Sequence, residues 1–189
     1  MAKLPAAQAE ILVHLPVCDA NGAALAALDG IAKPNKNTHL ALFAGDPFLH
    51  LPTVFRAAKR AGVEALATFP SAQLFDGETA RAIATAGYGL SADLAFVRAA
   101  KAAGFATLAL ATDLAAAKAL LADGATRVAL HPGPATPDKR ANKTAAAAID
   151  AACAALKGAP VLVHRAAGYD TALDAACAKA RGVVLPLGT

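Results

Sequence analysis

Seven short apolar runs punctuate the chain, at 11–15 (ILVHL), 39–44 (HLALFA), 64–69 (EALATF), 107–112 (TLALAT), 127–131 (RVALH), 160–165 (PVLVHR) and 182–187 (GVVLPL). Each is near-continuous rather than strictly alternating, the pattern of a strand covered on both faces in a parallel sheet. Helical stretches lie between them. Thr53 to Ala61, Ser91 to Ala103 and Leu114 to Asp123 each run into a glycine, Gly62, Gly104 and Gly124, at the place where a helix is expected to stop. Asp113 and Ser91 are predicted N-caps, because their side-chain oxygens can accept the free N–H groups of a first turn. An Ala-rich helix is predicted over 143–157, after a polar segment 136–142 (TPDKRAN) that reads as a mobile loop or a plain connector.

Strand, loop, helix and glycine recur in that order, which is the βαβ beat of a parallel sheet. Successive strands begin about 20 to about 43 residues apart, enough for a crossover helix each time. The longest gap holds DGETARAIATAGYGL at 76–90, read as an extra short helix with a Gly-rich exit. The predicted fold is therefore α/β, a parallel (β/α) barrel of TIM type, reduced or incomplete at about seven strands, in a single domain over 1–189. A complete barrel uses eight strands and about 250 residues. An open barrel, or one completed by a partner chain, is the expected resolution. A doubly wound open sheet is the competing architecture, and the glycine-rich dinucleotide fingerprint that often marks it is missing.

Composition changes this picture in three places. Hydrophobic residues make up 57% of the 189, charged residues only 17%, and the mean hydropathy of +0.45 looks membrane-like until alanine is recognised as its source. Lys, Arg, Asp, Gly or Pro interrupts every candidate span of about 18 residues, so no transmembrane helix is predicted. The N-terminal MAKLPAAQAEILVHLP lacks the h-region and cleavage site of a signal peptide, and a cytoplasmic location is expected. The net charge of +4 is carried by basic residues spread singly over helix faces, with PDKRANK the one local cluster. With two tyrosines and no tryptophan there is little for base stacking, so a small anionic metabolite is the expected partner rather than nucleic acid or membrane. Cys18, Cys153 and Cys177 show neither CxxC spacing nor an even count and read as reduced thiols.

In a parallel α/β protein the loops leaving the carboxyl ends of the strands form the active-site face, so Asp46, Ser71, His131 and His164 are predicted to meet there. Asp46, between Gly45 and Pro47, points a carboxylate at the mouth that can hold Mg²⁺, act as a base, or simply form a turn. Asp19 in DANG reads as turn chemistry. His131 precedes Pro132 and Gly133, and an imidazole there can shuttle protons, ligate a metal, or serve structure. His164 and Arg165 are neighbours on one strand, so one faces the interior and the other the helices. Ser71 can donate to an anionic oxygen or form a turn, and Asp76–Gly77 reads first as a turn. His14 reads as a packed core residue, His39 and His50 as peripheral, and Cys18 as a thiol without an activating base. A GK[ST] phosphate loop, a GxSxG elbow and any metal motif of defined spacing are missing.

Several ordered blocks carry a resemblance. AGDPF (44–48), ATFPSAQLFDGETAR (67–81), TAGYGLSADLAFVRAAKAAGF (85–105) and RVALHPG (127–133) resemble the phosphoenolpyruvate-hydrolase-like, or TIM-barrel signal-transduction, family. LPVCDANG (15–22) is similar to its LPYGDAN segment, and VLVHRAAG (161–168) occupies the place of its CHGG strand end. The likeness covers most of 15–188. The family carries two further strands before LPYGDAN, where this chain has about ten residues, so ILVHL is expected to stand in for the second. Arg165 and Ala166 replace the glycine pair, and VVLPLGT stands where the family strand ends in GASS. The resemblance implies a hydrolase or lyase acting on a 2-oxo acid or its enol phosphate. In it Asp46 positions a divalent ion or water, His131 and His164 serve as acid and base, and Ser71 fixes an anionic oxygen. The Asp76 loop shapes the pocket and Arg165 adds a weaker anion contact. The departures favour an alternative, a noncatalytic sensing or interaction domain, and a reduced barrel with an open edge is expected to form a homo-oligomer.

Overall fold

A computed structural model describes residues 10–12, 19–31, 34–35 and 37–185. Its elements run β1 (Glu10–Leu12), α1 (Ala20–Leu28), β2 (Thr38–Ala41), α2 (Leu51–Arg60), β3 (Ala65–Thr68), a 3₁₀ turn (Ala72–Leu74), α3 (Gly77–Thr85) and α4 (Leu90–Ala102). They continue with β4 (Ala106–Ala111), α5 (Leu114–Ala122), β5 (Arg127–Leu130), α6 (Lys139–Ala155), β6 (Val161–His164), a second 3₁₀ turn (Asp170–Leu173), α7 (Asp174–Lys179) and β7 (Gly182–Val184).

The strands pair in chain order, β1 to β7, and every pairing is parallel. A doubly wound sheet must reverse its strand order at a switch point, and this one never does. Winding in one direction with right-handed crossovers puts the helices on one side and curls the sheet into a half-barrel. Among the described residues β1 pairs only with β2 and β7 only with β6, so the barrel is open.

The two faces of the sheet differ in what they bury. Outward-facing Leu40, Leu42 and Leu66 pack with Val54 of α2 and Phe96 of α4. Val128, Leu130, Val161 and Val163 pack with Leu120 of α5, Ile149 of α6 and Leu173. The inner face is a smaller cluster of Ala41, Ala67, Leu108, Ala129, Leu162 and Val184, with Phe69 at its upper end. Small side chains there suit the concave side of a curled sheet, and the larger ones fill the wider layer beneath the helices.

Most predicted elements form, with shifted ends. Each strand segment was expected to reach further than its ladder, because residues such as Phe69, Thr112 and His131 lie past the last pairing and turn into the mouth. Val13 to Leu15 and Pro186 to Leu187, at the ends of the outer two segments, lie outside the described residues. Asp113 caps α5, accepting from Ala116 N–H at 2.8 Å. Ser91 does not cap α4: Gly89 holds that position, and Ser91 donates back to the Gly87 carbonyl at 3.0 Å. The segment 136–142 is neither loose nor separate from the helix after it. Asp138 caps α6 by accepting from Arg140 N–H at 2.8 Å, and Asn142 reaches back to the Thr136 backbone at 2.8 and 2.9 Å. Two helices, α1 and α7, were not among those expected. For α1 the reason is that Asp19, read as a turn residue, accepts from Gly22 N–H at 2.7 Å and so starts a helix.

Leu66, fully buried between β3 and the helices, is expected to cost about 2–5 kcal/mol when changed to alanine, whereas Phe48→Ala, at a ring 92% exposed, should stay within about 0.5 kcal/mol. Urea unfolding followed by circular dichroism checks both.

Candidate active site

The strand-end loops place the expected side chains in two groups. The first is at the upper end of the inner face. Strand alternation that sets Ala129 and Leu162 inward also sets His131 and His164 inward, two residues further along each chain. Their ring centroids lie 4.5 Å apart, with 33° between the planes. Phe69, two residues beyond inward-facing Ala67, stacks on His164 at 5.3 Å and 17° and stands 6.3 Å from His131. The ends of β3, β5 and β6 thus converge on one aromatic cluster.

Both imidazoles are buried, His131 at 6% and His164 at 9% exposure. Burial disfavours the cation, lowering His131 to about 3, with a further push from His164, and His164 to about 4. Both are neutral at pH 7. His131 Nδ1 faces the N–H of Gly133 at 3.0 Å, so it accepts and the ring proton resides on Nε2. Gly133 sits at φ +86°, a left-handed conformation that a side chain resists, and this orients its N–H towards the ring. Among the described residues His164 Nδ1 is buried with no hydrogen-bond partner. Tyr169, itself buried, donates to the Pro132 carbonyl at 3.1 Å and ties the loop after β6 to the loop after β5.

The second group surrounds Asp46 in the loop after β2. Asn21 of α1 donates to Asp46 Oδ2 at 2.8 Å and to the Phe43 carbonyl at 3.1 Å, and accepts from Phe43 N–H at 2.8 Å. Asp46 Oδ1 accepts from Phe48 N–H at 2.8 Å. Gly45 allows this turn, since a side chain there would meet the Tyr88 carbonyl at 2.7 Å. Asp19, Asn21, Phe43, Asp46 and Phe48 line an open cleft of about 410 Å³. Among the described residues no set of three His, Cys, Asp or Glu side chains surrounds a common point.

Ser71 is buried and turned away from the mouth, donating to Asp93 of α4 at 2.6 Å. Gln73 donates to the same Asp93 oxygen at 2.8 Å. Burial raises Asp93 to about 6, against the pull of these two hydrogen bonds. Arg165 takes the outer side, paired with Asp174 at 2.8 Å and donating to the Asp170 carbonyl at 3.2 Å. Asp76 is exposed at the start of α3 and lines a groove with Gln73, Thr112 and Pro132. His50 is exposed, bonded to Thr53 at 2.8 Å, but His39, expected at the periphery, is buried on β2 at 1% exposure. His14 and Cys18 lie outside the described residues. Phe69, Gln73, Asp93 and Asn21 were not anticipated. Alternation back from the strand end would have found Phe69, but the other three are visible only through their partners.

Comparison with known proteins agrees with this architecture. The phosphoenolpyruvate hydrolase-like family profile matches residues 6–167. The chain belongs to that family. A curated relative of this phosphoenolpyruvate hydrolase-like protein is the uncharacterized protein y4oT of Sinorhizobium fredii, 33% identical over 91 residues. That alignment covers 48% of this chain and 46% of the relative, so the chain spans about half the length of the curated protein it matches. Among the described residues no helix is long and apolar enough to cross a membrane.

The folded pKa values of both histidines lie below the unfolded value of 6.5, so the folded state binds fewer protons and stability falls as pH drops from about 6.5 towards 4 and 3. Asp93 is raised above its unfolded 3.8 and gains stability as pH falls through about 6. Between pH 6.5 and 5 each histidine costs about 2 kcal/mol and Asp93 returns about 1 kcal/mol, so the histidines win. Thermal denaturation is expected to show a clear drop over this interval that His131→Gln flattens. A curve equally steep in the variant contradicts the assignment.

Proposed function

We propose that the protein is a phosphoenolpyruvate hydrolase-like barrel enzyme acting on a small 2-oxo acid or enol phosphate at the C-terminal ends of its strands. The observation that carries this reading is the pair of neutral, contacting imidazoles of His131 and His164 on the inner face. Enol and enolate chemistry needs a donor at the oxygen where charge develops and a second group to move a proton. His131, held by Gly133 in its Nε2–H form, is the donor. A neutral imidazole can stabilise a developing oxyanion without itself giving up a cation's proton. His164 is the acid or base, with the Phe69 ring stacked on it. An anionic substrate beside the rings favours imidazolium and raises both pKa values towards neutrality, which brings His164 into the useful range for proton transfer.

Asp46, anchored by Asn21 and the Phe48 N–H, orients a water or the polar end of the substrate from the adjoining loop. Ser71 contributes through Asp93, whose carboxylate it holds, and Asp76 shapes the rim. Arg165 contacts an anion only by exchanging its pairing with Asp174. A second reading, a noncatalytic sensing or interaction domain, is favoured by the open edges at β1 and β7.

Phosphoenolpyruvate, pyruvate, oxaloacetate and inorganic phosphate serve as probes. At least one of the three organic acids is expected to raise the melting temperature by several degrees at about 100 Kd. His131→Ala should abolish the shift and lower kcat by about 10²–10⁴-fold in a turnover assay on that ligand. Turnover unchanged in His131→Ala would sink the enzymatic role of this pair. A shift without turnover in the wild type moves the protein to the sensing reading.

A further inference from the structure

A groove of about 440 Å³ runs between the segment after β3 and the loop after β5, whose Pro132 and Gly133 directly follow His131 in the chain. We propose that it is the subsite for an uncharged apolar arm of the substrate ending in a hydroxyl group, and that Gln73 reads the hydroxyl. For the reacting head this rests on the function proposed above.

The groove's chemistry is set by its walls. Leu74, Phe75, Pro132, Pro134, Ala141 and Ala145 give the groove its apolar lining, while among its neutral polar residues Asn142 is bonded to the Thr136 backbone and Tyr169 to the Pro132 carbonyl. Among the described residues no Lys or Arg lines it, and Asp76 is part of its lining. A carboxylate or phosphate would meet no counter-charge here and would be repelled by Asp76, so an anionic head belongs at the histidines and the groove takes something neutral. Rigid prolines and an exposed phenyl ring provide flat apolar contact at little entropic cost.

Gln73 gives the groove its polar specificity. Its Nε2 donates to Asp93 Oδ2 at 2.8 Å and to the Leu110 carbonyl at 2.9 Å, which engages both amide protons. Turning the amide over would set its oxygen against a carboxylate and a carbonyl, three acceptors with no proton among them. The anchor is itself held, since Asp93 is 1% exposed and accepts from Ser71 at 2.6 Å, while Ser71 accepts from the Gln73 N–H at 3.1 Å. Among the described residues Gln73 Oε1 accepts from nothing, and it is the end of the amide left for the groove. A fixed oxygen with free lone pairs selects a donor, and on an apolar arm that donor is a hydroxyl. The groove also shares the Pro132–Gly133 wall with the site, where the Gly133 N–H holds His131. An arm lying there continues from a head at the histidines.

Calorimetric titration of the full chain with pyruvate, phenylpyruvate, 4-hydroxyphenylpyruvate and 4-methylphenol tests the proposal. The phenyl group is expected to tighten binding about 10-fold or more over pyruvate, and the hydroxyl a further factor of about 3 to 10. Gln73→Leu should remove the hydroxyl increment and keep the phenyl increment. Ala141→Trp, at an exposed position in the first turn of α6, fills the groove without touching the core and should remove both increments while pyruvate binds as before. Equal affinity for the three acids, or a hydroxyl increment that survives in Gln73→Leu, overturns the proposal while leaving the reading of the head intact. If no acid binds but 4-methylphenol does, and Gln73→Leu weakens it, the subsite stands and the proposed 2-oxo acid chemistry falls. If 4-methylphenol and all three acids fail to bind, the subsite is wrong.

Discussion

Two-residue alternation along parallel strands wound in a single direction is the constraint on which the rest of this structure depends. It divides each strand between a concave inner face and an outer face beneath the helices, and the pairing register carries that division from one strand to the next. Leu130 pairs with Val163 across β5 and β6, and the residues that follow them, His131 and His164, therefore emerge side by side. Shifting either strand by one residue would send its imidazole into the helical layer and bring Pro132 or Arg165 inward.

Burial of two histidines in contact carries an electrostatic cost, because neither ring can ionise easily in that position. The arrangement tolerates this by keeping both neutral. Gly133 answers one ring nitrogen of His131, and Phe69 covers the face of His164 with a surface that demands no hydrogen bond. Among the described residues His164 Nδ1 meets no hydrogen-bond partner.

The charge of the mouth differs from that of the chain as a whole. A net charge of +4 suggests a pull on anions, yet among the described residues Asp19 and Asp46 line one cleft and Asp76 another with no Lys or Arg in either, while Lys139 and Lys143 line a third beside the loop after β6. Arg165 and Lys179 are each paired with a nearby aspartate. Under the proposed function, recognition at this face rests on directed hydrogen bonds from neutral groups more than on net charge, with the Ser71–Asp93–Gln73 network as one fixed part of it.

Much of the fold was legible in the chain. Apolar runs with glycine-stopped helices between them specify a parallel sheet because hydrogen-bonding period, burial and crossover length are local properties, each written within a few dozen residues. The same locality places His131 and His164 at strand ends and tells that His164 and Arg165 face opposite ways. Local reading misplaced Ser91 as a cap and His39 as peripheral, since neither the choice of Gly89 nor the neighbours of β2 are recorded nearby. The singly wound barrel was already expected over a doubly wound sheet, but tertiary structure alone decided that the two imidazoles touch and that Ser71 turns to Asp93, 22 positions away. Those outcomes depend on which surfaces meet after the chain has folded back on itself, and pairwise contact between distant residues has no signature in the spacing of either one.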